Sequence, residues 1–336
     1  MKDTFLVITS IAQDSNPVLI NYARECKTSN IPFILIGDTK SPTNFDLKGC
    51  DYYSIESQKK LNFELVKQLP EKHYSRKNIG YLLAIKKGAK TIIETDDDNL
   101  PLEKFWLKRE INAFACELSD KKWVNVYKYF TEKNIWPRGF PLQNINDKIP
   151  ELENEKYIYC PIQQGLADDN PDVDAIYRLV LPLPIKFNQG KSIALSNNSY
   201  CPFNSQNTTW FSEAFPLLYL PSFCSFRMTD IWRSFIAQRI SWTCDWSILF
   251  HNSTVYQNRN DHSIINDFEE EISGYLNNSK IIEKLIDLNL EKGIENISLN
   301  MMRCYEAIVE MGLIDKKELI LLDLWIMDLK KLKLNH

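Results

Sequence analysis

The first hundred residues of this chain alternate short apolar runs with helical stretches, and the last run ends in three consecutive carboxylates. Phe5–Ile11, Pro32–Ile36 and Thr91–Thr95 are built of β-branched and large apolar residues, and Tyr52–Ile55 reads as a further short strand. Between them, Asn16–Cys26 has the marks of a helix, with Asn16 as cap and Pro17 in the first turn. Ser75–Lys87 sets Ile79, Leu82 and Leu83 on one face, and Gly88 is placed to end it. This alternation predicts an α/β fold of Rossmann type, a parallel, doubly wound sheet with helices on both faces. Open sheets of that kind bind ligands at the carboxyl ends of their strands, and that is where Asp96, Asp97 and Asp98 fall.

Beyond residue 120 the pattern changes. Ten prolines, from Pro137 to Pro221, punctuate short strands and loops, with no low-complexity linker and no internal repeat. From about Ile264 the chain turns helical, and Ile281–Leu290, Ser298–Met311 and Lys316–Leu332 carry apolar residues at three- and four-residue spacing. These are expected to form a C-terminal helical appendage, residues 264–336, with Met301 and Met302 as core filler.

The charge balance narrows the partners. A net charge of −4 supplies no basic field for nucleic acid. No stretch approaches the ~18 apolar residues of a membrane span, so no integral membrane segment is expected. Eight cysteines lie scattered, none in a CxxC pair, which points to a reducing compartment, and a cytoplasmic location is the expectation.

Three adjacent aspartates raise each other's cost of ionisation. Two settings relieve that cost: a fully solvated loop tip, or a bound hard cation such as Mg²⁺ or Mn²⁺, which prefers oxygen ligands and bridges carboxylates to phosphates. Other candidates converge on the same sheet end. Thr9 and Ser10 close the first strand, Asp38 closes the second, and Arg76, Lys77 and Asn78 open the helix before the aspartates. A basic group there suits a phosphate or a base, or is simply a solvated turn. Asp230 opens a helical stretch, as a helix cap or as a general base. Asp168, Asp169, Asp172 and Asp174 surround Pro171, where they shape a turn or line a site. His73 and His251 read as ordinary histidines, and Trp210 and Trp232 as core residues or sugar-stacking platforms.

Five strings carry a resemblance. Tyr74-Ser-Arg-Lys-Asn-Ile-Gly-Tyr81, Glu94-Thr-Asp-Asp-Asp-Asn99, Ile135-Trp-Pro-Arg-Gly-Phe-Pro-Leu142, Gln164 through Arg178, and Arg227-Met-Thr-Asp-Ile-Trp-Arg-Ser-Phe235 together resemble the STELLO (DUF288) family over roughly residues 5–260. A weaker similarity, in Arg138–Leu142, Gly165–Ala175 and Asp230–Trp232, runs to the reversibly glycosylated polypeptides, the UDP-arabinopyranose mutases. The first resemblance implies a GT-A-like fold with a mixed sheet, in which Asp96–Asp98 is the DXD-type motif of a glycosyltransferase. It divides residues 1–263 into a nucleotide-binding half, 1–119, and an acceptor-side half, 120–263.

By that resemblance Asp96 faces the ribose, Asp98 binds Mn²⁺ or Mg²⁺, and Asp97 lies between them. From their own positions, Arg138 is a candidate for the donor phosphates or sugar, Asp172 and Asp174 for the acceptor side, and Asp230 for the base. The implied donor is a nucleotide sugar, UDP-linked by family analogy, and the implied acceptor a glycan or polysaccharide precursor. The plant members are Golgi proteins with a membrane anchor ahead of this region, whereas this sequence opens on the first strand. They also carry a late histidine at a position near Tyr256; here His262 offers itself as the last metal ligand. The alternatives are a nucleotide-sugar mutase and a scaffold of the same fold without turnover. A nucleotidyltransferase would show a glycine-rich phosphate loop, and Thr9–Asp14 has no glycine.

Overall fold

A computed structural model describes residues 3–259 and 263–333. The first half contains the strands β1 (Thr4–Thr9), β2 (Phe33–Ile36), β3 (Asp51–Tyr53), β4 (Thr91–Thr95), β5 (Asn99–Pro101), β6 (Asn112–Leu118) and β7 (Lys122–Trp123). The second half adds β8 (Lys156–Tyr159), β9 (Ile162–Asp168), β10 (Ile193–Leu195), β11 (Ser199–Tyr200), β12 (Asn207–Phe211) and β13 (Ile248–Gln257). The α-helices are α1 (Pro17–Ser29), α2 (Ile55–Lys59), α3 (Lys77–Lys86), α4 (Ala175–Val180), α5 (Thr229–Ser241), α6 (Ile264–Ile286), α7 (Ile297–Glu310) and α8 (Glu318–Lys331).

Among the described residues eleven strands form one mixed sheet, in the order β3-β2-β1-β4-β12-β9-β13-β10-β6-β8, with β5 on β13. The first four are parallel, with Leu6 opposite Phe33 and Phe5 opposite Ile92. β12 then runs antiparallel to β4, setting Asn207 beside Thr95. The sheet is therefore the mixed, GT-A-like one implied by the motifs, and parallel only in the half where strands and helices alternate.

Local chemistry explains the first half. Phe5–Ile8 and Phe33–Ile36 are buried on both sheet faces, as continuous apolar strands require. Asn16 Oδ1 caps α1 by accepting from Val18 N at 2.8 Å and Leu19 N at 3.1 Å. Gly80 lets α3 lie against the sheet: a Cβ there would meet Val7 Cγ1 at 2.5 Å. The helix expected over 75–87 starts at Lys77, because Tyr74–Arg76 form a 3₁₀ turn capped by the His73 side chain.

The C-terminal helices join the main core. Met301, Cys304 and Tyr305 of α7 and Leu322, Trp325 and Leu329 of α8 pack in one cluster with Trp210 and Phe235. Glu318 accepts from Ser222 N and Phe223 N at 2.9 and 2.7 Å, and Asp328 from Glu64 N and Leu65 N at 3.0 and 2.9 Å. α6 begins at Ile264, seventeen residues before the apolar spacing that starts at Ile281. Ahead of that spacing it buries Asp267, Glu271, Gly274 and Asn278, so its inward face there is polar, while Ile265, Ile272 and Leu276 are exposed.

Candidate functional site

A cleft of about 420 Å³ opens at the carboxyl ends of β1, β2 and β4. Thr9 to Ile11, Gly37 to Lys40 and Asp96 to Asp98 line one side; Arg138, Asp172, Ser205 and Asp230 line the other. Lys72 to Tyr74, Arg76 and Phe226 close one flank, and Arg178, Arg227, Gln257 and Arg259 complete the lining.

Each of the three aspartates has partners of its own. Lys77, wholly buried, donates from Nζ to Asp96 Oδ1 at 2.8 Å and to Thr95 O at 3.0 Å. Burial pushes the Asp96 carboxyl up to about 6, with Lys77 opposing and Asp98 adding to the rise. Ser10 Oγ donates to Asp97, whose pKa burial also raises, against the hydroxyl's pull. Asp98 accepts from Asn99 Nδ2 at 3.1 Å and from Gln257 Nε2 at 3.0 Å. Its carbonyl accepts from Asn258 N at 3.0 Å, so the end of β13 is latched onto the acidic run.

Across the cleft, one guanidinium bridges two carboxylates. Arg138 Nε and Nη2 donate to Asp172 at 2.8 Å each, while Nη1 and Nη2 donate to Asp230 at 3.0 Å each. Asp230 also accepts from Ser205 N at 3.1 Å. Burial would raise the Asp230 carboxyl, but Arg138 overrides it and holds it well below the usual range. Burial likewise pulls Arg138 down, and its two carboxylates more than reverse that. The loop reaches this position because Gly139 has φ +87° and packs on α5; a Cβ there would meet Ile231 Cγ2 at 2.4 Å. Asp230 lies in the first turn of α5 but its carboxylate caps no helix amide, so the cap reading does not describe it.

Other expected site residues have structural work. Asp38 faces the cleft, yet its oxygens accept from Thr39 N at 2.6 Å, Lys72 N at 2.9 Å and His73 N at 3.0 Å, fixing that loop. Arg76 is buried and spends Nε and Nη2 on Gln58 Oε1 at 2.8 and 2.6 Å. Asn78 does not reach the cleft; it clamps Leu220 by donating to its carbonyl and accepting from its amide, both at 2.9 Å. Asp174 is buried as the cap of α4, accepting from Tyr177 N at 2.7 Å and Trp136 Nε1 at 2.6 Å. Asp168 accepts from Ser253 Oγ at 2.7 Å and Phe187 N at 3.0 Å. Trp210 and Trp232 are sealed in the core. His262 lies outside the described residues.

Several lining residues carry no sequence signal of their own. His73 stacks on Tyr74 with centroids 5.6 Å apart and planes 8° from parallel, and Phe226 meets both rings edge-on. Tyr74, Arg178 and Arg227 sit inside the motif strings, but nothing in their spacing marks them as lining. Gln257 and Arg259 follow β13 as ordinary polar residues.

The donor set suits a hard cation. Among the described residues no three His, Cys, Asp or Glu side chains are gathered into a cage for a metal. A diphosphate-bridged Mg²⁺ needs no such cage, since one or two carboxylates and the phosphates suffice. The all-oxygen run at Asp96–Asp98 fits that requirement.

A parallel sheet half, an acidic run at its strand ends and an arginine-bridged carboxylate pair opposite define a GT-A-like α/β protein. Over most of its length the chain is similar to STELLO proteins. The family model described as "STELLO glycosyltransferases" matches residues 227–336. The chain is 30% identical over 279 residues to "Probable glycosyltransferase STELLO2" of Arabidopsis thaliana, covering 75% of this chain and 36% of that protein. It is 29% identical over 322 residues to "Probable glycosyltransferase STELLO1" of the same plant, covering 88% of this chain and 41% of that protein. It thus spans about two fifths of the length of these relatives. A solved structure described as "Crystal Structure of a Mycobacterial Protein" overlaps 82% of this chain and 74% of its own, with TM-score 0.42 and 8% identity. That likeness is too slight to add to the fold. No described helix is long and apolar enough to cross a membrane.

Proposed function

We propose that this protein is a glycosyltransferase that takes a nucleotide sugar, UDP-linked, and passes the sugar to a hydroxyl of a glycan or polysaccharide precursor. The observation that carries this is the pairing, across one 420 Å³ cleft, of the strand-end run Asp96–Asp98 with the Arg138–Asp172–Asp230 cluster. In this reading Asp96 accepts a ribose hydroxyl, and the Ser10-held Asp97 keeps the turn rigid. Asp98 would hold a Mn²⁺ or Mg²⁺, which when bound neutralises the departing diphosphate. The ring wall of His73, Tyr74 and Phe226 offers apolar faces beside the β1 and β2 ends. Asp230 is the proposed base toward the acceptor hydroxyl. For that role Arg138 must yield part of its grip, because a carboxylate held so far below neutrality is a weak proton acceptor. The eight free cysteines fit a reducing compartment, and the cytoplasm is the location we propose.

The test is a thermal-shift series with UDP-sugars, with and without Mn²⁺, followed by turnover with and without acceptors. Binding to the native state raises the melting temperature by mass action. A UDP-sugar shift that grows with Mn²⁺, and sugar transfer that needs an acceptor, are the expected results. Conversion of the UDP-sugar with no acceptor would make the protein a mutase, and the absence of any nucleotide-dependent shift would make it a scaffold.

A further inference from the structure

Three arginines line the cleft on the side of α4 and the end of β13: Arg178, Arg227 and Arg259. Two are matched by carboxylates of α6. Arg227 Nε and Nη2 donate to Glu271 Oε1 at 3.0 and 2.9 Å, and Arg259 donates to Asp267. Among the described residues Arg178 has no such carboxylate partner. Its Nη1 donates to Asn170 Oδ1 at 3.3 Å and its Nη2 to Pro171 O at 3.0 Å, both neutral, and its buried Nε has no partner. A guanidinium keeps its charge at any working pH, and a desolvated charge without a counter-ion is costly. Burial, aided by Arg259 and Arg227, brings Arg178 down to about 10, against the pull of Asp172.

The position ties this cation to the acidic run. Gln257 Nε2 donates to Asp98 at 3.0 Å, Asn170 Nδ2 donates to Gln257 O at 3.4 Å, and Arg178 donates to Asn170. Arg178 therefore stands two residues removed from Asp98, half-buried in the cleft wall. A guanidinium so placed suits the oxygens of a phosphate.

We propose that Arg178, backed by Arg227 and Arg259, is a phosphate-binding point that receives a phosphate-type oxyanion of the substrate. Its neighbourhood to Asp98 favours the diphosphate of the donor over an anionic group on the acceptor. Only the naming of the ligand rests on the nucleotide-sugar reading; the anion site stands on its own geometry.

Calorimetric titration of the wild type, Arg178→Gln and Arg178→Lys with UDP, uridine and inorganic pyrophosphate, each in EDTA and in Mn²⁺, tests it. Arg178→Gln should weaken UDP and pyrophosphate by about 10- to 100-fold, the worth of a charged hydrogen bond, and leave uridine unchanged. Arg178→Lys keeps the charge without the fork and should lose only part of that. Pyrophosphate binding that depends on Arg178 while UDP binding does not would support the site and assign it to the acceptor. Pyrophosphate binding through Arg178 in a protein that takes neither UDP nor uridine would support the site and sink the nucleotide-sugar reading. Wild-type affinity for UDP and pyrophosphate in Arg178→Gln overturns the proposal. If that variant does not fold, wild-type affinity in Arg178→Lys overturns it.

Discussion

Arg233 grips Glu94 with both nitrogens of its fork, Nη2 to Oε1 at 2.7 Å and Nη1 to Oε2 at 3.0 Å, and both side chains are sealed from solvent. Glu94 also accepts from Trp210 Nε1 at 2.8 Å and from the Tyr81 hydroxyl, and the guanidinium lies 5.0 Å over the Trp210 ring. Glu94 stands two residues before Asp96, and Arg233 one turn after Asp230. The pair therefore fixes the strand that ends in the acidic run to the helix that carries the opposite carboxylate.

Breaking this pair should cost more than its net worth, because the survivor is left charged and buried. Arg233→Met is expected to destabilise the protein by ~3–5 kcal/mol in urea titration. Adding Glu94→Leu should recover much of the loss, since the unpaired charge is then gone. A single variant within ~1 kcal/mol of wild type would show that the pair does not hold the two walls together.

Asp98 is expected to carry the metal dependence of nucleotide binding. Asp98→Asn keeps the shape and an acceptor oxygen but removes the negative charge that draws a hard cation. Mn²⁺ should tighten UDP in the wild type and fail to do so in Asp98→Asn, at nearly unchanged melting temperature. Calorimetry in EDTA and in Mn²⁺ reads this directly. Equal tightening in both proteins would remove Asp98 from the metal site.

The parts of the fold that were legible in the sequence are those where local chemistry and tertiary packing agree. Thr91–Thr95 is a strand with the bounds expected, and Asn16 and Pro17 start α1 as expected. The half beyond residue 120 was not legible as a sheet, since β9, β12 and β13 pair across long loops that no local signal announces. The start of α6 at Ile264 was legible, but not what it packs: its buried face carries Asp267, Glu271 and Asn278, residues that brace Arg259, Arg227 and Trp232. The site shows the same division. Strand-end aspartates announce themselves, whereas Asn78 and a clamp on Leu220, or Asp174 and a helix cap, look like site residues until their partners are seen. His73, Phe226 and Arg259 reach the cleft only through tertiary placement.

Two histidines should make the fold sensitive to mild acid. His251 is buried, its Nδ1 2.9 Å from Asn252 O; burial, aided by Arg109, lowers it to about 3. Burial lowers His73 to about 4, with Asp38 opposing. A histidine ordinarily titrates near 6.5, so between that pH and the folded value the unfolded chain binds the proton and the native one does not. Stability from these groups is whole above about pH 6.5 and declines as the pH falls toward 3–4. The slope from His251 can reach at most about 1.4 kcal/mol per pH unit. Urea titrations at pH 7, 6 and 5 should show this decline, and His251→Asn should flatten it. An equal slope in the variant would mean that His251 is not held neutral.

Asp230 decides what kind of catalysis the cleft supports. Its carboxylate spends itself on Arg138 and Ser205 N, so Asp230→Asn keeps an acceptor for Ser205 but gives Arg138 a neutral partner. Arg138 retains Asp172, and the stability cost should stay within ~1–3 kcal/mol. If Asp230 is the base, kcat should fall by ~10²–10⁴ with donor affinity nearly unchanged. Asp172→Asn supplies the contrast, since it weakens the hold on Arg138 equally without touching Asp230. A matching fall in both variants would mean that the positioning of Arg138 matters and proton transfer to Asp230 does not. A fall confined to Asp230→Asn would assign the base. Near-normal turnover in Asp230→Asn would remove that role and leave Asp172, the other carboxylate on the same guanidinium, as the acid–base group or the mechanism as a retaining one.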